Sequence, residues 1–329
     1  MFFTNLLRHI ILVGLVSALP AAALAQGSTA PSPNPPAART VKMSLIVTDQ
    51  SNHSVGDIKK EDLQLLEDKV PQTLTLFEKD SRPVKYVVAI DTSGSFKDLL
   101  EPVIEASKML VNQNRDLDET MLMRFISSGK IEKVEDFTSD KSKLFRGLDG
   151  LYVEQGQTAV VDAMYVAVQT AAEYKAGDTS LRRAVVMFSD GEERASYYKV
   201  EQLVKLLRST DVQLFLIGIT VHLDRASYMR PGQKEKAEKL LKKIAGESGG
   251  RVFFPTKPSE LAEALNETTK DLRGQYLIGF EPNNTGGQDK FRKIEVKVID
   301  APDKKHIAIS RPGYFLYPPA IEVPKKKSN

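Results

Sequence analysis

Tyr86-Val87-Val88-Ala89-Ile90-Asp91-Thr92-Ser93-Gly94-Ser95 joins an unbroken apolar run to a short loop rich in oxygen-bearing side chains. A strand that is apolar at consecutive positions is covered on both faces, as happens in a parallel sheet sandwiched between helices. Beyond the loop, Leu99, Leu100, Val103, Ile104, Met109 and Leu110 recur at helical spacing. The alternation then repeats. Met121 to Ile126 predicts a strand, and Ile131 to Phe137 a partner able to hairpin with it. Helices are expected over Val160 to Ala172, Val200 to Leu207, Ala237 to Ile244 and Leu261 to Leu272. Buried strands are expected over Ala184 to Phe188 and Val212 to Ile219, and a short one over Arg251 to Phe254. Strands alternating with helices imply an α/β fold with a doubly wound, mostly parallel sheet, here over residues 84–273.

Working outward, the flanks are β in character. Val41, Met43, Leu45 and Val47 alternate with polar residues, as a half-buried strand does. A turn-rich stretch (Asp49 to Gly56) and an extended run (Thr73 to Phe77) follow. After Gln275 come Tyr276 to Phe280, the alternating Ile294, Val296 and Val298, then Ile307 to Ile309 and Tyr314 to Tyr317. The expected organisation is an α/β domain (84–273) inserted in a β-rich unit made of residues 40–80 and 275–317. A basic tail, 318–329, closes the chain.

Composition narrows the function classes. The 329 residues are 41% apolar and 27% charged, with net charge +3, which is ordinary for a globular protein. Acidic and basic residues are interspersed, so no concentrated basic face points to nucleic acid. There is no cysteine, which excludes disulfides, thiolate zinc sites and cysteine nucleophiles. Arg8 and His9 precede an apolar run from Ile10 to Leu19, and Ala23-Leu24-Ala25 fits the small-x-small rule for cleavage. Residues 1–25 therefore read as a signal peptide and the Pro/Ser/Ala-rich residues 26–39 as a linker. The expected destination is periplasmic or extracellular, with no membrane span once the signal is removed.

Three loops at one sheet edge carry the chemistry. Asp91, Ser93 and Ser95 follow the first buried strand. Thr158 precedes the helix from Val160, and Asp190 follows the strand ending at Phe188. In open α/β sheets, ligands bind beyond the carboxyl ends of the strands. Two carboxylates and three hydroxyls suit a hard divalent cation: Mg²⁺ first, with Mn²⁺ or Ca²⁺ open. Two negative charges neutralise such an ion without saturating it. It can then take a carboxylate from the Asp or Glu of a protein partner.

Asp91-x-Ser93-x-Ser95, Thr158 and Asp190 resemble the metal-ion-dependent adhesion site (MIDAS) of von Willebrand factor A and integrin I domains, whose sheet is Rossmann-like. The strings "VVAIDTSGS", "GQTAVVDAM" and "VVMFSDGEE" resemble that family as well. The resemblance implies that Ser93 and Ser95 touch the metal directly, and that Thr158, Asp91 and Asp190 do so directly or through water. The flanking strings "VTDQSNHSVGDIKKEDLQLLED", "YLIGFEPNN", "KFRKIEVKV" and "RPGYFLYPP" resemble exported VWA-related proteins described mainly from acidobacteria. Export and the split β unit are the implied expectations.

The other residues near the loops read more plainly. Glu192 and Glu193 are expected to form an exposed acidic turn, and Asp162 to be a first-turn charge favouring the helix dipole. His222 is expected in a solvated loop with Asp224 and Arg225. No catalytic residue is expected. An aspartyl-phosphate hydrolase would want an acid two residues after Asp91, where Ser93 stands, and no Gly-x-Ser-x-Gly elbow supports a serine hydrolase. The remaining alternatives are an envelope scaffold whose metal is purely structural, and a Mg²⁺-dependent phosphoryl hydrolase.

Overall fold

Fourteen strands, β1 to β14, and six helices, α1 to α6, are described in the computed structural model, which covers residues 40–221, 223, 232–283, 290–299 and 305–316. The expected signal peptide, linker, basic tail and His222 loop lie outside the described residues. The central sheet has six strands in the order β10-β9-β8-β5-β6-β7. Its members are β5 (Val84–Asp91), β6 (Glu119–Ser127), β7 (Lys130–Thr138), β8 (Arg182–Ser189), β9 (Gln213–Gly218) and β10 (Val252–Phe253). All pairings are parallel except that of β6 with β7, the expected hairpin. Every residue of β5, β8 and β9 is buried.

That burial follows from helices on both faces. On one face Val84, Tyr86, Val88 and Ile90 meet α1 (Leu100–Asn112), α2 (Lys141–Asp149) and α6 (Ser259–Gly274). On the other, Val87 and Ala89 meet α3 (Val160–Glu173), α4 (Val200–Ser209) and α5 (Gln233–Ser248). Each Val or Ile so enclosed contributes about 1.5–3 kcal/mol relative to exposure, and the alternation of faces along β5 is the period of two of a strand. Strand order reverses at β5: the chain goes first to β6 on one side, then to β8 on the other. This is the switch point at which an open α/β sheet leaves a crevice.

The flanking strands form two four-stranded sheets, β13-β1-β11-β4 and β14-β12-β2-β3. Here β1 is Val41–Thr48, β2 Leu63–Glu67, β3 Val70–Gln72 and β4 Leu74–Lys79, while β11 is Tyr276–Phe280, β12 Phe291–Val298, β13 Ile307–Ile309 and β14 Gly313–Phe315. Val41, Leu45, Leu65, Ile278, Val296 and Tyr314 share one apolar cluster, so the two sheets face one another. The chain passes from β4 into β5 beside the place where it returns from α6 into β11. There Lys79 pairs with Tyr276, and the Asp80 N–H donates to the Gln275 carbonyl at 3.0 Å.

Three elements go beyond the sequence reading. Helix α2 is short and interrupted by Gly147; it stands because Asp140 caps it, accepting from Ser142 and Lys143 N–H, and because Leu144 and Leu148 are buried. Strands β2 and β3 are hidden by Glu67, a buried acid that breaks the apolar alternation. Glu67 is paired with Arg292 at 3.1 Å and accepts the Tyr314 hydroxyl at 2.6 Å.

The flanking sheets meet the α/β layers through apolar contact, with Ile46 and Ile309 packed in the cluster of α1 and α6, and through charge. Arg251, just before β10, binds Asp271 of α6 through Nη1 at 2.6 and 2.7 Å, and its Nη2 donates to the Asn52 carbonyl at 2.6 Å. Ser54 donates its hydroxyl to the same Asp271 carboxylate. Beside them Gly249 takes φ +71° to end α5, and a Cβ there would lie 2.4 Å from the Arg311 nitrogen. Burial pushes the Asp271 carboxyl up, against the opposing pull of Arg251. Such a pair is costly to break but gives little net gain over apolar packing. Asp271→Ala should therefore cost about 3–5 kcal/mol in urea unfolding, since it strands the Arg251 charge. Arg251→Met with Asp271→Leu should recover most of that loss; a double variant as unstable as the single would trace it to packing instead.

Candidate metal centre

At the switch point, β5 ends in Asp91 and β8 in Ser189, so Asp91 and Asp190 emerge side by side from adjacent strands, with Ile90 paired to Phe188. The loop after β5 is held against β6 by the Thr92 N–H donating to the Phe125 carbonyl at 3.0 Å. A single 3₁₀ turn, Gly94–Phe96, plugs the sheet end with the fully buried Phe96 and returns the chain towards α1. Within this loop the Ser93 N–H donates to Asp91 Oδ1 at 2.9 Å, which fixes the carboxylate.

Two further bonds cross-tie the loops. The Glu154 N–H donates to the Thr92 carbonyl at 2.9 Å, and the Arg194 N–H to the Thr158 carbonyl at 3.1 Å. Glycines let the backbones approach. A Cβ on Gly156 would lie 2.4 Å from Ile126 Cγ2, and Gly191 sits at φ +71°, which an L side chain rarely adopts.

The side chains then converge. Thr158 Oγ1 donates to Ser93 Oγ at 3.3 Å, Ser93 Oγ and Ser95 Oγ are 3.1 Å apart, and Ser95 Oγ donates to Asp190 Oδ2 at 2.8 Å. Asp91 joins the group through the Ser93 N–H and through Ser189, whose hydroxyl donates to Asp91 Oδ2 at 3.3 Å. The structure thus brings together the five residues singled out by sequence. Asp91 and Asp190 are fully buried, Ser93 and Thr158 nearly so, while Ser95 is exposed and marks the open side.

Electrostatically the site gathers negative charge. Burial first, and the neighbouring Asp190 carboxylate second, push the Asp91 carboxyl up to about 8. The nearby Arg194 is turned to Glu192 at 2.6 Å. Asp190 Oδ1 accepts the Glu192 N–H at 2.8 Å. Among the described residues no trio of His, Asp or Glu converges on one point; the donor set here is two carboxylates and three hydroxyls. Two adjacent buried carboxylates beside hydroxyl oxygens fit a hard divalent ion, which would supply the missing charge.

Among the acidic residues around the site, Glu193 is exposed and Asp162 lies in the first turn of α3, both as expected, but their roles go beyond the sequence reading. Glu192 is buried rather than part of an exposed turn. Glu193 accepts the Val161 N–H at 3.0 Å and so caps α3. Asp162 is also buried, and its two oxygens accept the Tyr197 and Tyr198 N–H groups at 2.9 and 2.7 Å, which folds residues 191–199 back onto α3. Tyr198 then stacks on Tyr165 with ring centroids 3.8 Å apart. Ser189, which orients Asp91, was not singled out from sequence; its place directly before Asp190 was the available signal.

An α/β sheet with hydroxyl and carboxylate loops at its switch point defines the class. The sequence matches the von Willebrand factor type A domain over residues 87–267, more than half of the chain, and the protein belongs to that family, whose domains generally serve protein–protein interaction. It is similar to an aerotolerance-related membrane protein from Bacteroides fragilis NCTC 9343, at 20% identity over 57% of this chain and 99% of that one, TM-score 0.42. It is similar to BatB from Bacteroides thetaiotaomicron, at 18% identity over 57% of this chain and 98% of that one, TM-score 0.43. A third similar structure is proximal thread matrix protein 1 from the mussel byssus with a zinc-occupied MIDAS motif, at 16% identity over 63% of this chain and 49% of that one, TM-score 0.46. No curated protein matches the chain in sequence. Among the described residues no helix is long and apolar enough to cross a membrane.

Asp162 offers a test of how the loop edge is held. Asp162→Asn removes the charge that two backbone N–H groups share, an interaction of about 1.5–3 kcal/mol. Hydrogen exchange at the Tyr197 and Tyr198 amides should accelerate about tenfold to a hundredfold. Unchanged protection would mean that the Tyr198–Tyr165 stack alone holds the segment.

Proposed function

We propose that this protein is an exported, metal-dependent protein-binding module, in which a divalent cation held by Asp91, Ser93, Ser95, Thr158 and Asp190 captures a carboxylate of a partner. The observation that carries this reading is the pair of fully buried carboxylates, Asp91 and Asp190, with hydroxyl donors around them. Mg²⁺ suits the set best, because two carboxylates and three hydroxyls leave room for the waters it retains. Those waters are the positions a partner's Asp or Glu would take. Export rests on the signal-like residues 1–25, and an adhesive or assembly role on membership of an interaction family. The split β unit, residues 40–80 and 275–317, would serve as the base that presents the 84–273 domain. No step of this chemistry breaks a bond, and no catalytic residue is assigned.

The competing reading is a scaffold whose metal only braces the loops. It differs in whether the ion keeps positions open to a partner, which water-proton relaxation reads directly.

Thermal unfolding of the mature chain in EDTA, then in Mg²⁺ or Mn²⁺, tests the site. Free metal at a hundredfold its dissociation constant should add about 2.7 kcal/mol of stability. Asp91→Asn should abolish that gain while unfolding in EDTA no lower than wild type, because it removes one of two adjacent buried negative charges. With Mn²⁺ bound, fast water-proton relaxation that falls on adding a short Asp-containing peptide supports the docking role. Relaxation indifferent to the peptide moves the scaffold reading ahead, and equal metal stabilisation in Asp91→Asn overturns the site itself.

A further inference from the structure

The opposite end of the central sheet, where the chain passes from β4 into β5 and from α6 into β11, holds a second unbalanced polar group. Arg182 is paired in register with Val84, and its side chain is 3% exposed. Its Nε donates to the Arg82 carbonyl at 3.3 Å and lies 3.6 Å from Asp80 Oδ1, while Nη1 and Nη2 are buried without partners. Two residues along β5, on the same face, the buried Tyr86 hydroxyl is also unpartnered. Arg273 lies with its guanidinium carbon 5.9 Å from the centre of the Tyr86 ring. Its Nη2 binds Asp118, and its Nη1 is left over. Gln275 is 1% exposed with both side-chain amide atoms unpartnered, and its carbonyl takes the Asp80 N–H.

The acids nearby are already committed. Asp80 receives Arg82 through Nε at 2.8 Å and Nη2 at 2.7 Å. Asp118 accepts the Val84 N–H at 2.8 Å and the Arg115 N–H at 2.7 Å besides Arg273. Three guanidinium groups, Arg82, Arg182 and Arg273, thus stand against two carboxylates at ion-pair distance, with Asp211 and Glu78 acting on Arg82 from farther off. The leftover atoms are mostly donors: Arg182 Nη1 and Nη2, Arg273 Nη1, Gln275 Nε2 and the Tyr86 hydroxyl, against Gln275 Oε1. Burial lowers Arg182 from its ordinary value, as expected of a cation short of negative charge. A water molecule brings donors as well as acceptors and no charge, so it leaves the imbalance in place. A species that only accepts and carries negative charge resolves it.

We propose that Arg182, Arg273, Gln275 and Tyr86 form a buried binding site for a small halide-like anion, with chloride as the physiological occupant. A monatomic anion accepts from donors in any direction, which suits leftover donors that come from β5, β8 and the end of α6. The anion joins β5, β8 and the end of α6 at the place where the α/β layers attach to the flanking sheets, so occupancy stabilises that attachment.

The test is thermal unfolding of the mature chain in EDTA, which keeps the divalent site silent, at constant ionic strength with chloride exchanged for gluconate. Wild-type Tm should rise about 2–4 °C for each tenfold increase in chloride above its dissociation constant. Arg182→Gln should lose the dependence. Because that variant can fail to fold, Gln275→Glu is the second: its carboxylate supplies the negative charge, so its Tm should be insensitive to chloride and no lower than that of chloride-saturated wild type. Crystals soaked in bromide should show an anomalous peak within hydrogen-bonding reach of Arg182. A wild-type Tm equal in chloride and gluconate, or a Gln275→Glu protein with wild-type chloride dependence, overturns the proposal in favour of water.

Discussion

Asp91 and Asp190 are fully buried acids at the ends of two adjacent parallel strands, and the repulsion between them governs the arrangement of that sheet edge. Parallel pairing fixes their proximity. With Ile90 beside Phe188, Asp91 stands level with Ser189, and Asp190 follows one residue on. The fold answers their charge with dipoles: the Ser93 and Glu192 N–H groups and the Ser95 and Ser189 hydroxyls. Dipoles orient carboxylates without neutralising them. Arg194 donates to Glu192 at 2.6 Å and also interacts electrostatically with Asp190. The cross-ties from Glu154 to Thr92 and from Arg194 to Thr158 hold the loops that carry the two carboxylates together.

What the sequence reveals of this follows from how local each feature is. The buried strands β5, β8 and β9 are legible because helices cover both faces and leave no polar alternation. Asp91, Ser93 and Ser95 are legible because all three lie on one loop whose position after a buried strand is itself readable. Thr158 and Asp190 become legible once the strand ends are known to share an edge. The roles of Asp162, Glu192 and Glu193 are not local. They depend on residues 191–199 folding back onto α3, and nothing in the spacing of Glu192 or Asp162 announces that path. Strand β2 escapes for a related reason: Glu67 looks like a surface residue until Arg292 and Tyr314, more than 200 positions away, supply its partners. Helix α2 escapes because its apolar face amounts to little more than Leu144 and Leu148.

Besides the packing of β14 on α4, a set of attachments to the flanking sheets lies at one end. The passage from β4 into β5, the Asp80–Gln275 bond, the Arg251–Asp271–Ser54 group and the contact of Gly249 with Arg311 lie at the amino ends of the parallel strands or the carboxyl ends of α5 and α6. The Asp91 loops lie at the other end of β5, whose eight residues span roughly 25 Å at strand rise. The flanking sheets therefore brace the sheet without covering its carboxylate edge, and a partner can approach Ser95 from solvent.

The two ends of β5 are electrically opposite. One gathers buried carboxylates; the other holds buried guanidinium atoms without partners. In a low-dielectric core such charge is expensive alone, and a strand's length separates the two ends too widely to compensate one another directly. Each end is therefore suited to a small ion of its own from solution. A chain without a cysteine has no disulfide to secure the junction between its sheets. Ions of opposite charge at the two ends of one buried strand would supply that reinforcement, and would leave the carboxylate edge free to exchange its outer ligands for a partner.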